Sequence, residues 1–122
     1  ELIVQTDLTA GGTEKAIGKL LALKKLPAAV IAFNDYVALD AIRYARKEGL
    51  QINKDIFFGS YANLPIIHYL NDPPIVSVEQ FPFEQAEKAT DILLQLINKK
   101  DNSSANLPQK IVLEGELVLH EE

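Results

Sequence analysis

The segment AVIAFNDYVALDAI, residues 29–42, decides how this chain folds. Its first half belongs to a continuous apolar run, Ala28 to Phe33, which is typical of a strand buried on both faces of a parallel sheet. From Tyr36 to Glu48 the apolar residues recur at helical spacing instead. A strand that passes directly into a helix predicts one step of an α/β fold, and the polar pair Asn34-Asp35 stands at the join.

The rest of the sequence repeats this alternation of short apolar runs and helical patterns. A first helix, capped by Thr9 or Thr13 and ended before Pro27, precedes the segment. Further strands are predicted at 2–4, 56–58, 75–78, 110–113 and 116–120, further helices at 64–70 and 83–98, and a loop at 101–106. This order predicts an α/β fold of three layers, in which helices flank a mostly parallel sheet that ends in a pair of strands.

Length and composition restrict the classes of function. The chain has 122 residues, 48% of them hydrophobic, which suits one domain with a core of its own. A net charge of -5 argues against a nucleic-acid surface, because phosphate binding needs clustered Lys and Arg. The absence of Cys excludes disulfides and thiolate metal sites, and no apolar run is long enough to cross a bilayer. Because it contains no Met, we expect the sequence to be part of a longer protein.

Asn34 and Asp35 are the first candidates for binding chemistry. They follow the predicted central strand, and ligands of open α/β sheets bind outside the carboxyl ends of the strands. Asn offers a donor and an acceptor and Asp offers acceptors, which suits sugar hydroxyls or the polar edge of a small metabolite. The competing interpretation is a helix N-cap. We interpret Asp35 chiefly as the cap and Asn34 as a polar wall of a cleft.

Two later strand ends supply the other candidates. Tyr61 and Asn63 follow the strand at 56–58, and Gln80 and Phe81 follow the strand at 75–78. All four can face a ligand, with Phe81 stacked on a sugar ring. The alternatives stay open, since Tyr61 suits a core, Asn63 suits a turn, and Phe81 can pack on the helix that follows it.

Signatures of catalysis or cofactor binding are missing from the sequence. His68 and His120 lie far apart and have no metal-ligand spacing. Gly11-Gly12 precedes a helix but lacks the remaining glycines of a dinucleotide fingerprint, and no Ser-His-Asp arrangement has a recognisable context. We therefore predict no catalytic residue, no metal site and no cofactor, and a protein that is not an enzyme.

Four segments of the chain resemble the sequence motifs of one known protein family. Residues 27–39 resemble the family pattern P-x-A-I-x-A-x-N-D-x-x-A-L, and residues 49–56 resemble G-L-x-I-P-x-D-I. Residues 73–80 are similar to P-P-L-T-T-V-x-Q, and the closing strands are similar to L-x-x-E-L-V-x-R-E. Each motif alone is weak, but four in the right order and at the right separations are specific. Together they resemble the LacI/GalR family of bacterial transcriptional repressors.

This resemblance implies a fold and a function. The chain would be the C-terminal subdomain of an effector-binding core of periplasmic-binding-protein type I. Residues 1–122 would form that single domain, with about 83–109 belonging with an N-terminal subdomain. The implied partners are a small-molecule effector, a carbohydrate or similar metabolite, and DNA, which is contacted only through a separate helix-turn-helix headpiece. The family also implies a homodimer in the cytoplasm, away from membranes.

The resemblance also assigns roles to particular residues. Asn34 matches the family's ligand-contacting Asn, Asp35 matches its neighbour, and Gln80 matches the Gln where the chain crosses between subdomains. The family's G-[FY]-[DS]-[DN] aligns with residues 60–63, where Ser60 replaces the glycine and Ala62 replaces an Asp that often contacts sugar. These departures predict a binding mode other than the usual one for hexoses.

The remaining implications concern assembly and alternatives. The family's counterpart of the helix at 36–48 contributes to a subunit interface, so Val37, Ala41 and Tyr44 are candidates for either interface or core. A periplasmic sugar-binding protein of a transport system is the main alternative function. A receiver-type or flavodoxin-like module, with Asp35 as its acidic residue, is a more distant one.

Overall fold

The computed structural model describes residues 2–98 and 110–120. Its elements are helix α1 (Ala10–Leu21), strand β1 (Ala29–Ile31), helix α2 (Asp35–Lys47), strand β2 (Phe57–Tyr61), a 3-10 helix (Pro65–Tyr69), strand β3 (Val76–Glu79), helix α3 (Pro82–Asn98) and strand β4 (Glu116–Leu119). They fall into two compact units. The first holds residues 2–79 and 116–120, and the second holds residues 80–98 and 110–115.

The sheet belongs to the first unit and has the strand order β1-β2-β3-β4. The first three strands are parallel, and β4 runs antiparallel to β3. The register pairs Ile31 with Gly59 and Ser60 with Ser77. A parallel sheet whose strands alternate with helices, and which ends in one antiparallel strand, confirms the predicted α/β class.

The core of the first unit lies between α1, α2 and the sheet. Its buried side chains come from all three: Ile17, Leu20, Ala41, Ile42, Ala45, Ile56 and Phe58. The helices approach closely at Gly18, because a Cβ there would lie 3.3 Å from the hydroxyl oxygen of Tyr44. This packing fixes the first turn of α2 relative to the ends of β1 and β2, where the polar candidates lie.

The cap of α1 is one of the two predicted residues, Thr9. Its Oγ1 accepts from the backbone N–H of Gly12 at 3.0 Å. Asp7 in turn accepts from the N–H and the O–H of Thr9, at 2.9 and 2.6 Å. These two bonds lower the pKa of the Asp7 carboxyl.

Three predictions about strands were wrong. Residues 2–4 and 110–113 are not strands, because they join no ladder in the described structure. The run Ala28 to Phe33 forms a strand at 29–31, but β1 is the first strand of the sheet and not a central one. Ile31 and Phe33 stand at alternate positions and are 66% and 70% exposed, so the described structure leaves this face of the strand uncovered. The loop predicted at 101–106 lies outside the described residues.

Helix α3 dominates the second unit. It begins at Pro82, one residue before the predicted start, and has no buried side chain. Its exposed apolar residues include Phe83, Leu93, Leu94, Leu96 and Ile97. No described helix is both long and apolar enough to cross a membrane.

Candidate functional site

The candidate site lies at the carboxyl ends of β1 and β2, in the first unit. After β1 the chain enters α2 through Asn34 and Asp35, and after β2 it turns sharply through Ala62 and Asn63. The two connections are joined directly, because the N–H of Leu64 donates to Oδ2 of Asp35 at 2.6 Å. Asn34 and Asn63, each next to one end of this bond, are thereby brought to the same region of the sheet edge.

The structure assigns the helix cap to Asn34 and not to Asp35. Asn34 is the N-cap of α2, and its Oδ1 accepts from the N–H of Val37 at 2.9 Å. Asp35 is the first helical residue rather than the cap, so that prediction was wrong. The cap occupies only the carbonyl oxygen of Asn34, which leaves its amide group able to donate to a ligand.

Asp35 is completely buried, with 0% of its surface exposed. Its Oδ1 accepts from the hydroxyl of Ser60, and its Oδ2 accepts from the N–H of Leu64. A buried carboxylate costs free energy unless it is hydrogen-bonded, and these two donors supply the compensation. Asp35 therefore holds the site together and presents no free oxygen to an effector, or to the phosphate of a receiver-type module.

A buried polar chain extends from Asp35 across the sheet. Ser60 Oγ lies 3.0 Å from Ser77 Oγ, and Ser77 Oγ lies 3.0 Å from His120 Nε2. Ser60 and Ser77 are both buried. The sequence analysis did not predict this series of hydrogen bonds. It treated Ser60 only as a departure from a glycine and gave no role to Ser77 or His120. The available signal was the occurrence of small hydroxyl residues in two apolar strands.

The turn after β2 is held in an uncommon backbone conformation. Ala62 has φ 98° and Asn63 has φ 51°, both in the region that favours glycine. The Nδ2 of Asn63 donates to Glu79 at 3.1 Å, whereas its Oδ1 is buried without a hydrogen-bond partner in the described structure. Strained backbone residues cluster at binding sites, so this turn is a candidate for ligand contact.

The other predicted ligand residues lie in both units. Tyr61 ends β2 and is 42% exposed, which excludes the core position considered for it. Gln80 and Phe81 follow β3 and belong to the second unit, with Gln80 exposed and Phe81 at φ 50°. Ligand contacts by Tyr61, Asn63, Gln80 and Phe81 remain predictions.

The three proposed interface residues of α2 differ in how far they are buried. Val37 and Ala41 are buried and belong to the core of this chain. Tyr44 is half-buried against α1. The charge of Glu48 raises the pKa of the Tyr44 phenol. Of the three candidates, only Tyr44 retains surface for an interface.

The two histidines, far apart in sequence, are neighbours in the fold. The rings of His68 and His120 meet edge to face, with 6.0 Å between their centroids. Burial lowers the pKa of His120, and a positive charge on His68 lowers it further, while the carboxylate of Asp35 acts in the opposite direction. No third His, Asp or Glu joins them in a group able to hold a metal ion within residues 2–98 and 110–120.

Comparison with family models matches residues 1–119 to the periplasmic binding protein-like domain. The chain belongs to this family. The match extends over both units, and it agrees with the mostly parallel sheet whose strand ends carry the candidate site.

Individual relatives are bacterial regulators. The HTH-type transcriptional repressor PurR of Aliivibrio fischeri (strain MJ11) is 33% identical over 104 residues, which cover 84% of this chain and 31% of that protein. The HTH-type transcriptional regulator MalR of Clostridium butyricum is 30% identical over 118 residues, covering 97% and 33% respectively. The chain thus spans about a third of the length of these curated relatives.

A solved structure has a similar fold. The complex of the transcriptional regulator CelR with cellobiose superimposes with a TM-score of 0.81 at 24% identity, covering 93% of this chain and 33% of that one. The resemblance to LacI/GalR regulators is confirmed by the family match and by the curated relatives, which are named as transcriptional regulators.

Proposed function

We propose that this chain is the effector-binding part of a LacI/GalR-type transcriptional regulator, and that it binds a small polar metabolite, a carbohydrate, at the carboxyl edge of its sheet. The observation that carries the proposal is Asn63, whose Oδ1 is buried and unpaired on a strained turn. An unpaired buried acceptor costs free energy, and a shift of the strained turn that brings this oxygen to a ligand hydroxyl removes that cost.

The chemistry of this edge suits hydroxyl groups. Oδ1 of Asn63 accepts, the amide group of Asn34 donates, and the exposed phenol of Tyr61 can do both. Each hydroxyl of a carbohydrate donates one hydrogen bond and accepts others, so alternating donors and acceptors fit it better than a single charge would. The exposed ring of Tyr61 adds a flat apolar surface for a sugar ring.

The test is a titration of the 15N-labelled chain with a panel of mono- and disaccharides, followed by NMR. We expect signals of Asn34, Tyr61 and Asn63 to shift, with weak affinity because only one side of the ligand is contacted. Asn63→Ala should abolish those shifts. Saturating shifts elsewhere, or no shift with any carbohydrate at the solubility limit, would overturn the assignment of the site.

Asn53 provides a matched control. It too has a positive φ, 62°, and a buried unpaired Oδ1, and its Nδ2 donates to the carbonyl of Pro73 at 3.3 Å. It precedes β2, so it lies at the opposite, amino end of that strand. Asn53→Ala should remove a similar local interaction and leave the carbohydrate-induced shifts unchanged.

The regulatory part of the proposal concerns the full-length protein. An effector that binds one conformation of a two-subdomain core better than another would shift the geometry of separate DNA-binding headpieces. A cytoplasmic location and a homodimer accompany this function. The present chain should bind no operator DNA, and sequence-specific retention in a gel shift at low salt would contradict that. Light scattering on the full-length protein tests the homodimer.

We also propose that residues 83–109 belong with a second, N-terminal subdomain. The support is that α3 buries none of its side chains although it carries a row of apolar residues. Hydrogen exchange should protect the amides of α3 far more in the full-length protein than in the present chain. Equal protection in both would contradict the proposal.

A further inference from the structure

We infer that His120 is a positioning residue. It is the first donor of a one-way hydrogen-bond chain that runs through Ser77 and Ser60 to Asp35 and holds the turn carrying Asn63. The chain of hydrogen bonds stands on its own geometry. Its consequence for effector binding rests on the function proposed above.

The members come from four separate parts of the first unit. Asp35 begins α2, Ser60 lies in β2, Ser77 lies in β3, and His120 follows β4. Ser60 donates to Asp35, and the distances from Ser60 Oγ to Ser77 Oγ and from Ser77 Oγ to His120 Nε2 are both 3.0 Å. The first three side chains are buried, so water does not compete for these bonds.

Proton counting fixes the direction of every bond. An ionised carboxylate only accepts, so the single hydroxyl proton of Ser60 goes to Asp35. Ser60 must then accept from Ser77, which uses the only proton that Ser77 has. Ser77 can therefore only accept from His120, and Nε2 of His120 must carry a proton. In its neutral form His120 is the Nε2–H tautomer, with the lone pair on Nδ1.

This direction links His120 to the candidate site. The carboxylate at the end of the chain also accepts from the N–H of Leu64, the residue that follows Asn63. Loss of the first donor leaves Ser77 free to turn its proton to another acceptor, which deprives Ser60 and then Asp35 of their fixed orientation. His120 thus acts on Asn63 only through intermediates and touches no effector itself.

The decisive experiment is NMR on the chain labelled with 15N at histidine and backbone amides, at about pH 7.5, where imidazole is mostly neutral. The nitrogen shifts of the His120 ring should report the Nε2–H tautomer. The amide proton of Leu64 should lie downfield, because its acceptor is a carboxylate at a short distance. An Nδ1–H tautomer for His120 would overturn the inference from the unmutated protein alone.

Variants test whether the loss of a donor at His120 or Ser77 changes the hydrogen bond between Asp35 and Leu64. Ser77→Ala and His120→Leu should move the Leu64 amide proton upfield, and Ser77→Ala should also remove the tautomer preference of His120. His120→Gln should restore the Leu64 shift, since its amide can donate from nearly the same position. An unmoved Leu64 amide in both Ser77→Ala and His120→Leu would overturn the inference, whatever their stability.

His68→Gln is the control. The ring of His68 packs against the ring of His120, with 6.0 Å between their centroids, but His68 takes no part in the series of hydrogen bonds. Its replacement should leave both the tautomer and the Leu64 amide unchanged. The protein could show the Nε2–H tautomer of His120 and the downfield Leu64 amide and still bind no carbohydrate. That result would reject the proposed effector class and leave the role of His120 intact.

Discussion

The backbone N–H of Leu64 donates to Oδ2 of Asp35 at 2.6 Å, although the two residues are 29 positions apart in the sequence. This bond fastens the turn after β2 to the first turn of α2. Asp35 also accepts from Ser60, so one carboxylate orients a loop and a strand at once. The geometry of the candidate site therefore depends on a residue that a ligand does not reach.

Asp35→Asn should destabilise the chain by about 2–3 kcal/mol, because hydrogen bonds to charged groups are strong and an amide nitrogen would face a donor. The side chain keeps its size, so the loss reports the bonds and not a cavity. Urea unfolding followed by circular dichroism measures it.

Asp40→Asn is the matched control on the same helix. Asp40 forms an ion pair with Arg43 at 3.2 Å, and both side chains are accessible to water. Such surface pairs contribute little, so the variant should change stability by no more than about 0.5 kcal/mol. Equal losses for Asp35→Asn and Asp40→Asn would show that Asp35 does not have the role assigned to it.

The capping role of Asn34 can be separated from ligand binding. Asn34→Ala should cost about 1 kcal/mol, because it removes the acceptor of the Val37 N–H. Asn34→Asp keeps a good cap and should retain nearly full stability, but it replaces the amide donor with a carboxylate. Carbohydrate shifts that survive in Asn34→Asp would mean that the amide of Asn34 makes no ligand contact.

The sequence indicated the alternation of elements correctly because hydrophobic period is a local property. Burial of β1 could not be predicted this way, since it depends on which elements cover each face of the sheet, and Ile31 lies on an exposed face. The cap was assigned to the wrong member of Asn34-Asp35 because both residues are good caps, and only the distant partners Ser60 and Leu64 distinguish them. Contacts between residues far apart in sequence leave no periodic signal.

Gly59→Ala should destabilise the sheet by about 1–3 kcal/mol through overpacking. A Cβ at this position would lie 2.8 Å from Cδ1 of Ile31 and 3.0 Å from Cγ1 of Val76, between the two strands that flank β2. Thermal unfolding measures the loss. Gly11→Ala is the control, because no atom lies within 4 Å of its Cβ and Ala is the better helix former. A neutral or stabilising Gly59→Ala would contradict the overpacking and show that the side chains of Ile31 and Val76 move aside at little cost.

The stability of the chain should rise with pH across the titration of His120. In the folded state, burial and the neighbouring His68 lower the pKa of His120 below its ordinary value of 6.5. Between that lowered pKa and 6.5 the unfolded chain binds more protons than the folded one. The contribution of neutral His120 to stability is therefore fully present above pH 6.5 and is lost as the pH falls through this window.

This pH dependence is measured by comparing the urea midpoint at about pH 7.5, above the ordinary imidazole pKa, with the midpoint at about pH 5.5, below it. His120→Gln keeps a donor but cannot be protonated, so its midpoint should fall less over the same interval. An equal fall in both proteins would assign the pH dependence to other groups.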